Sequence, residues 1–284
     1  MERESLLTLL VALLSGVAIL ACGWWPVVQA GGASGRQLER LMWKRIWLPA
    51  IPGLMIAAWL CGWALVEPDP TPESVPSAIL LASIPLLFLF ARAAVRATWS
   101  LLRNSDDLGT ATVGLLAPRI LFSPYLAKKL DDRVMEAALE HERAHVRHRD
   151  PLRIWLAQLM TDLQWPWPQA QQRLRLWLLA LELARDEEAR CAGVEGADLA
   201  DAVLACARLG EKHDLRLQAA LAGDPIAFKG RIARLLRPLP SGSEAIQASA
   251  RGTLTMLLPT LLLAVALGSI FGERLVSALF RIAA

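Results

Sequence analysis

Four long stretches of the chain contain no formally charged residue, and apolar residues follow one another in them almost without interruption. These stretches cover residues 5–35, 46–66, 74–91 and 252–272. Each can supply the roughly 20 mostly apolar residues that a helix needs to cross a hydrocarbon core about 30 Å thick. The pattern therefore predicts transmembrane helices at about residues 5–25, 46–66, 75–95 and 253–271.

The charges between these helices predict an orientation. The first connection contains Arg36, Arg40, Lys44 and Arg45, whereas the second contains Glu67, Asp69 and Glu73 without any Lys or Arg. Because Lys and Arg accumulate on the cytoplasmic side, we expect a multi-pass protein of a bacterial-type inner membrane with both termini outside. The expected organisation is a membrane region over 1–98, a cytosolic domain over 99–250, and a last span with a short extracellular tail over 251–284.

The N-terminus allows a second interpretation. The tetrapeptide Ile19-Leu20-Ala21-Cys22 loosely resembles the cleavage box of a lipoprotein signal, whose removal would eliminate the first span. The preceding Met1-Glu2-Arg3-Glu4 lacks the basic n-region of such signals. We therefore favour an uncleaved first helix.

Composition excludes several functional classes. The chain is 55% hydrophobic and 20% charged with a mean hydropathy of +0.38, which argues against disorder. Residues 99–250 contain 20 Lys and Arg against 20 Asp and Glu, so direct nucleic-acid binding is not expected. The four cysteines show no paired spacing that would indicate a disulfide framework or a Cys-rich metal site.

The polar segment predicts a small hairpin followed by helices. Residues 109–125 are rich in β-formers and are broken at Ala117-Pro118. A helix should begin at Asp131 or Asp132, and Asp150-Pro151 resembles the N-cap and first residue of the next helix. A further helix is expected over about 170–191. The predicted fold class is a mainly α integral membrane protein with a cytosolic helical domain and a small β-hairpin.

The first helix of this segment carries the most informative motif, His141-Glu142-Arg143-Ala144-His145. Histidines at i and i+4 share one helical face, so both imidazoles can reach one Zn²⁺, and the intervening glutamate can act as a general base. The alternative is a solvated face whose acidic and basic residues form ion pairs. The rarity of the spacing in a chain with 4 His favours the metal site.

A catalytic zinc needs a third protein ligand, and the spacing leaves several candidates. His148 is nearest in sequence, although Pro151 stands where a metzincin would have its third histidine. The carboxylates of Glu182 and Asp186, at i and i+4, would repel each other unless a cation lay between them. They are the better candidates, and the alternative is that Arg185 and Arg190 neutralise them in a surface network.

Three segments together resemble the BlaR/MecR-type membrane metallopeptidases, which are gluzincin-like antirepressors. They are Gly-Leu-Leu-Ala-Pro-Arg-Ile-Leu-Phe-Ser-Pro-Tyr from residue 114, His-Glu-Arg-Ala-His-Val-Arg-His-Arg-Asp-Pro from 141, and Glu-Leu-Ala-Arg-Asp from 182. The resemblance implies that His141, His145 and Glu182 bind Zn²⁺ and that Glu142 is the general base. It also implies that Asp186 is a supporting carboxylate that orients a ligating histidine.

The resemblance further implies a zinc endopeptidase that cleaves a cytosolic protein, such as a winged-helix transcriptional repressor, in a signalling pathway. The β-lactam sensors of that family carry an extracellular penicillin-binding domain after the last span. Only twelve residues follow Gly272 here, so we expect that domain, and β-lactam acylation, to be lacking. The alternatives are a membrane-protein quality-control protease and a non-catalytic receptor or scaffold that zinc stabilises. The oligomeric state is left open.

Overall fold

The computed structural model of the chain is mostly helical and contains one small antiparallel sheet, as the sequence predicted. It describes residues 3–24, 34–66, 76–102, 110–122, 124, 128–213, 225–238 and 251–283. Four helices in these ranges are long and apolar enough to cross a membrane, which confirms the four predicted spans: Ser5–Gly23, Gly35–Val66, Ser77–Ser100 and Pro259–Ile282.

The membrane helices are built as follows. The first span consists of α1 (Arg3–Leu10), a π-helical turn (Val11–Ser15) and α2 (Gly16–Gly23), and the second consists of α3 (Gly35–Trp47), a 3₁₀ turn (Leu48–Ala50) and α4 (Ile51–Val66). The third is α5 (Ser77–Leu102), and the last, after the intervening polar segment, is α11 (Arg251–Ala283). Large apolar side chains stay exposed along the third and fourth spans, as a lipid-facing surface requires, among them Leu81, Phe88, Val95, Leu263 and Ile270.

The second span begins earlier than expected. Its helix starts at Gly35 rather than near residue 46, because Ser34 caps it: the Ser34 hydroxyl accepts a hydrogen bond of 3.2 Å from the Gln37 N–H. The charged residues of the first predicted connection are therefore helical. Their helix α3 has an apolar side, with Met42, Trp43 and residue 46 buried.

The last helix also runs further than expected, and it continues to Ala283 instead of ending near residue 271. Glu273 lies inside it and accepts a hydrogen bond of 3.2 Å from Trp63 Nε1 of α4. The sequence Gly268-Ser-Ile-Phe-Gly272 places two glycines against α4, where side chains would collide with Trp59 and Trp63. Glycines at this spacing allow two membrane helices to approach closely.

The polar segment folds into the predicted hairpin and a set of helices. Strands β1 (Thr110–Val113) and β2 (Arg119–Phe122) pair antiparallel, with Thr112 opposite Ile120. Helices follow at α6 (Asp132–His148), α7 (Asp150–Leu163), α8 (Pro168–Cys191), α9 (Gly196–His213) and α10 (Pro225–Leu235). The parts of the predicted hairpin at residues 109, 123 and 125 lie outside the described residues.

The predicted N-caps of α6 and α7 have different outcomes. Asp131 caps α6 as expected, since its carboxylate accepts a hydrogen bond of 2.9 Å from the Val134 N–H. The prediction that Asp150 caps α7 is wrong. The capping residue is Arg149, in the left-handed conformation with φ 52°, and Asp150 is the first residue of the helix. Its carboxylate turns instead toward α6 and α8.

One apolar core joins the membrane helices to the helical segment. Its buried residues come from the first three spans and from α7 and α8, and they include Ile19, Trp43, Ala93, Met160 and Trp177. The N-terminus of α3 lies directly on α8, where a Cβ on Gly35 would stand 2.7 Å from the Leu183 carbonyl. Any side chain at position 35 would push α3 away from α8, which is the helix that carries Glu182.

Candidate metal centre

Helix α6 brings both histidines of the motif to one buried face. His141 and His145 are one turn apart, each 8% exposed, and the small residues Ala137, Ala138 and Ala144 allow neighbouring helices to approach that face. The two Nε2 atoms lie 3.1 Å apart. Both rings therefore point toward a single position.

Helix α8 adds the carboxylate of Glu182 to this position. Glu182 Oε2 lies 3.4 Å from His141 Nε2, and Oε1 lies 3.7 Å from His145 Nε2. Ligand atoms of the three residues all fall within 4.8 Å of one another, and no other such metal-ligating group is present among the described residues. The structure thus assembles the ligand set that the resemblance implied.

The opposite ring nitrogens face carboxylates. His145 Nδ1 lies 2.9 Å from Asp150 Oδ2, and His141 Nδ1 lies 3.0 Å from Asp186 Oδ1, although not in hydrogen-bonding alignment. Ionised carboxylates only accept hydrogen bonds, so each favours a proton on the Nδ1 atom beside it. Each Nε2 of a neutral ring is then left with a lone pair directed at its neighbour.

This donor set fits a zinc ion. Two Nε2 lone pairs at 3.1 Å repel each other unless a cation or a proton lies between them. Ring nitrogens bound at about 2.05 Å to a tetrahedral Zn²⁺ would be about 3.3 Å apart, close to the observed separation. Two imidazoles and one carboxylate are also a usual protein contribution to a catalytic zinc site.

The charged side chains around the site also favour a bound cation. Burial lowers the pKa of His141, but the carboxylates of Asp186 and Glu182 outweigh burial and raise it to about 10. Burial raises the pKa of Glu182, but Arg231 and His141 outweigh that effect and bring it below its ordinary value. These carboxylates therefore favour a cation at this position, either a proton on His141 or a metal ion that would displace that proton.

Glu142 is held beside the histidines by the hairpin. Its side chain is 8% exposed, and its Oε2 accepts a hydrogen bond of 2.7 Å from the Thr112 hydroxyl of β1. A threonine hydroxyl donates only one hydrogen bond. The same hydroxyl also lies 3.2 Å from the Glu142 backbone carbonyl oxygen. The shorter contact, to Oε2, orients the carboxylate and leaves Oε1 for another partner.

Comparison with protein families gives a match for the segment that contains this site. The segment matches the family model described as BlaR1 peptidase M56. The match covers residues 102–235, hereafter the M56 domain. The resemblance to BlaR/MecR-type metallopeptidases is thereby confirmed for these residues, and M56 peptidases are metalloproteases. Neither the curated proteins nor the solved structures include a match to the chain.

His148 lies apart from the cluster of His141, His145 and Glu182. The His148 side chain is 38% exposed, and its Nε2 lies 2.8 Å from Glu188 Oε2. The two arginines considered as neutralising partners also have other contacts. Arg185 binds Asp150 at 2.5 and 3.0 Å, and Arg190 donates to the Arg237 carbonyl at 2.8 Å.

The M56 domain contains a cation that sequence reasoning missed, Arg231 of α10. Its Nη1 lies 2.9 Å from Glu182 Oε2. Its Nε and Nη2 donate to the two oxygens of Asp186 at 2.7 and 2.8 Å. Nothing local in the sequence indicated that Arg231 would reach carboxylates 45 and 49 residues earlier.

We expect Arg231→Met to increase the dependence of the M56 domain on metal. Without the guanidinium, the buried carboxylate of Asp186 and the partly buried one of Glu182 lose their shared cation, which should destabilise the metal-free protein by about 3 kcal/mol. Bound Zn²⁺ would neutralise Glu182, so the metal-loaded protein should lose less. Thermal unfolding of detergent-solubilised protein with chelator and with zinc measures both states.

The matched control is Lys229→Met, because Lys229 is an exposed cation on the same helix. We expect zinc to raise the Tm of the Arg231 variant more than that of wild type and of the Lys229 variant. Equal increments in all three proteins would contradict the assigned role of Arg231.

Proposed function

We propose that the chain is a zinc-dependent integral-membrane endopeptidase that cleaves a cytosolic protein. The observation that carries the proposal is the convergence of His141, His145 and Glu182 ligand atoms within 4.8 Å in an M56 peptidase domain. Glu142 follows the first histidine and is oriented by Thr112. The site therefore combines a metal-ligand set with a positioned carboxylate.

Each of these side chains has a role in peptide hydrolysis. When bound, Zn²⁺ would supply Lewis-acid polarisation of the scissile carbonyl and lower the pKa of water. Glu142 would accept a proton from the attacking water and later donate it to the leaving amine. Thr112 keeps one Glu142 oxygen occupied, so that the other receives the proton. Asp150 and Asp186 would hold the two imidazoles in the tautomer that ligates metal.

The contacts of the M56 domain with the membrane helices support the proposed orientation. Trp167 Nε1 donates to the Leu20 carbonyl near the end of the first span, and Trp155 Nε1 donates to the Ala97 carbonyl near the end of the third. Helix α3, at the start of the second span, packs on α8. Three successive helix ends thus meet one domain, as expected if that domain and the basic first connection are both cytosolic.

The proposed substrate is a transcriptional repressor whose cleavage relays a signal, and this rests on the similarity of residues 102–235 to the BlaR1 peptidase. The test compares host cells that express wild type or Glu142→Gln by mass spectrometry of newly formed protein N-termini. We expect one or a few cytosolic proteins, with a DNA-binding repressor among them, to be cut only with wild type.

Other outcomes distinguish the alternatives. New termini in many unrelated membrane proteins would indicate quality control rather than signalling. If wild-type protein binds zinc but produces no new protein N-termini in the host cells, the chain would be a non-catalytic scaffold rather than a peptidase. Metal content of the same purified proteins, with about one zinc per chain expected, separates a missing substrate from a missing metal.

A further inference from the structure

A buried glutamate of the second span lies close to the candidate metal centre. Glu39 of α3 is 7% exposed, and its Oε1 forms a short ion pair with Arg153 Nη2 of α7. The same oxygen lies 3.9 Å from Arg185 Nη2 of α8. One carboxylate on the second span therefore faces two guanidinium groups from two helices of the M56 domain.

Both guanidinium groups also bind Asp150. Arg153 Nη1 donates to Asp150 Oδ1 at 2.9 Å, and Arg185 donates to Oδ1 at 3.0 Å and to Oδ2 at 2.5 Å. Asp150 Oδ2 in turn lies 2.9 Å from His145 Nδ1. A chain of charged contacts thus runs from Glu39 through the arginines and Asp150 to a candidate metal ligand.

The balance of charges explains how Glu39 can affect His145 at the other end of this series of contacts. Arg185 is 2% exposed and the Arg153 side chain is 13% exposed, so their charges need neighbouring carboxylates. With Glu39 present, three carboxylates face the two guanidinium groups, because Arg185 Nη1 also lies 3.5 Å from Glu188 Oε2. Without Glu39, Arg185 would keep Glu188, but Arg153 would be left with Asp150 as its one carboxylate among the described residues. Asp150 would then be drawn toward Arg153 and away from His145.

Aromatic residues hold the connecting arginine in place. The Arg153 guanidinium lies 5.0 Å from the ring centroid of Trp43 in α3 and 5.7 Å from that of Trp177 in α8. Guanidinium groups at such distances are attracted to aromatic faces. Arg153 is therefore fixed between the two helices with its donors directed at both Glu39 and Asp150.

We propose that Glu39 is a positioning residue for His145, which it orients through Arg153, Arg185 and Asp150, so that the second span contributes to the metal site. This inference rests on the proposed function, since it takes His145 to be a metal ligand. Glu39 touches neither a ligand residue nor the general base. Its effect must appear in the metal affinity and geometry of the site.

The test measures metal binding by purified full-length protein in detergent. Co²⁺ titration monitored by its d–d absorption reports ligand geometry, and competition with a chromophoric chelator reports Zn²⁺ affinity. We expect Glu39→Gln to weaken Zn²⁺ binding about tenfold, the lower end of the range for residues that support metal ligands, and to shift the Co²⁺ bands. Glu39→Asp, which keeps the charge, should recover part of both.

Two further variants separate positioning from stability. Glu187→Gln removes another contact of α3, because Glu187 accepts hydrogen bonds from the Gly35 and Arg36 N–H groups at 2.6 and 3.3 Å. It should lower the Tm but leave the Co²⁺ spectrum unchanged. Glu136→Gln, at a side chain that is 59% exposed, should change neither quantity.

The outcomes distinguish the inference from the proposed function. If wild type binds no metal, the proposed function fails, and the inference fails with it. If wild type binds metal and a folded Glu39→Gln protein shows the same affinity and spectrum, only the inference is overturned. Should Glu39→Gln not fold, Arg153→Lys keeps the charge but replaces the two fixed nitrogens that bind Asp150 and Glu39 with one mobile ammonium group. An unchanged spectrum in that variant would overturn the inference equally.

Discussion

Replacing Glu142 with glutamine should reduce peptide hydrolysis by about 10³-fold or more while leaving zinc in place. The expected size follows from the loss of a general base, which typically contributes between 10² and 10⁴. Glutamine preserves the shape of the side chain, and its amide oxygen can still accept the Thr112 hydrogen bond, which is 2.7 Å long in the native site. The measurement is the rate at which each purified protein cleaves a substrate found in the N-terminus experiment, together with its zinc content.

The control for this experiment is Thr112→Val, which removes the hydroxyl but keeps the side-chain volume. We expect a smaller loss of activity in this variant, because Glu142 remains able to accept a proton but is less well oriented. If Glu142→Gln retained wild-type hydrolysis with one bound zinc, the assignment of Glu142 as the base would have to be abandoned.

Replacing Glu182 with alanine should remove the metal itself. Residues that only support metal ligands typically change affinity by 10- to 100-fold, so loss of a direct ligand should weaken Zn²⁺ binding by more than about 100-fold. The Arg231 guanidinium, which lies 2.9 Å from Glu182 Oε2 in the native site, would stay bound to Asp186 and would no longer be balanced by Glu182, so it would also disfavour a cation. Zinc stoichiometry after dialysis, with a chelator competition for the residual affinity, measures this loss.

Two variants make the Glu182 result specific. Glu195→Ala removes an exposed glutamate beyond α8 and should retain about one zinc. His148→Ala tests the other candidate ligand, and it should also retain zinc because His148 Nε2 lies against Glu188 rather than in the cluster. Zinc retention by Glu182→Ala together with zinc loss by His148→Ala would reverse the assignment of the third ligand.

Features with a local signal were predictable from the sequence. The spans follow from uncharged apolar windows, and the shared face of His141 and His145 follows from helical periodicity. Span boundaries were less accurate, because charge marks the edge of an apolar window rather than the end of a helix. Helix α3 continues to Gly35 because its capping residue and its contact with α8 favour helix, and neither depends on apolar composition.

The partners that surround the site could not be predicted, because they come from distant parts of the chain. Thr112 reaches Glu142 from β1, and Arg231 reaches Asp186 from α10. Asp150 was mistaken for a helix cap because Asp followed by Pro is a local capping pattern. Its carboxylate is engaged by His145 and Arg185 instead, and such tertiary contacts leave no periodic trace in the sequence.

The second span is longer than a bilayer requires, and its first part packs on the helix that carries Glu182. The helix from Gly35 to Val66 has 32 residues, which is about 48 Å at 1.5 Å per residue, whereas the hydrocarbon core is about 30 Å thick. About 18 Å of helix thus extends beyond the hydrocarbon. This excess is about the length of α3, which the 3₁₀ turn at Leu48–Ala50 separates from α4 and which packs on α8. Helices adjust their tilt to bilayer thickness, and catalytic geometries tolerate only about 0.5 Å. A bilayer with longer or shorter acyl chains would therefore act first on the contact between α3 and α8, the helix that carries Glu182.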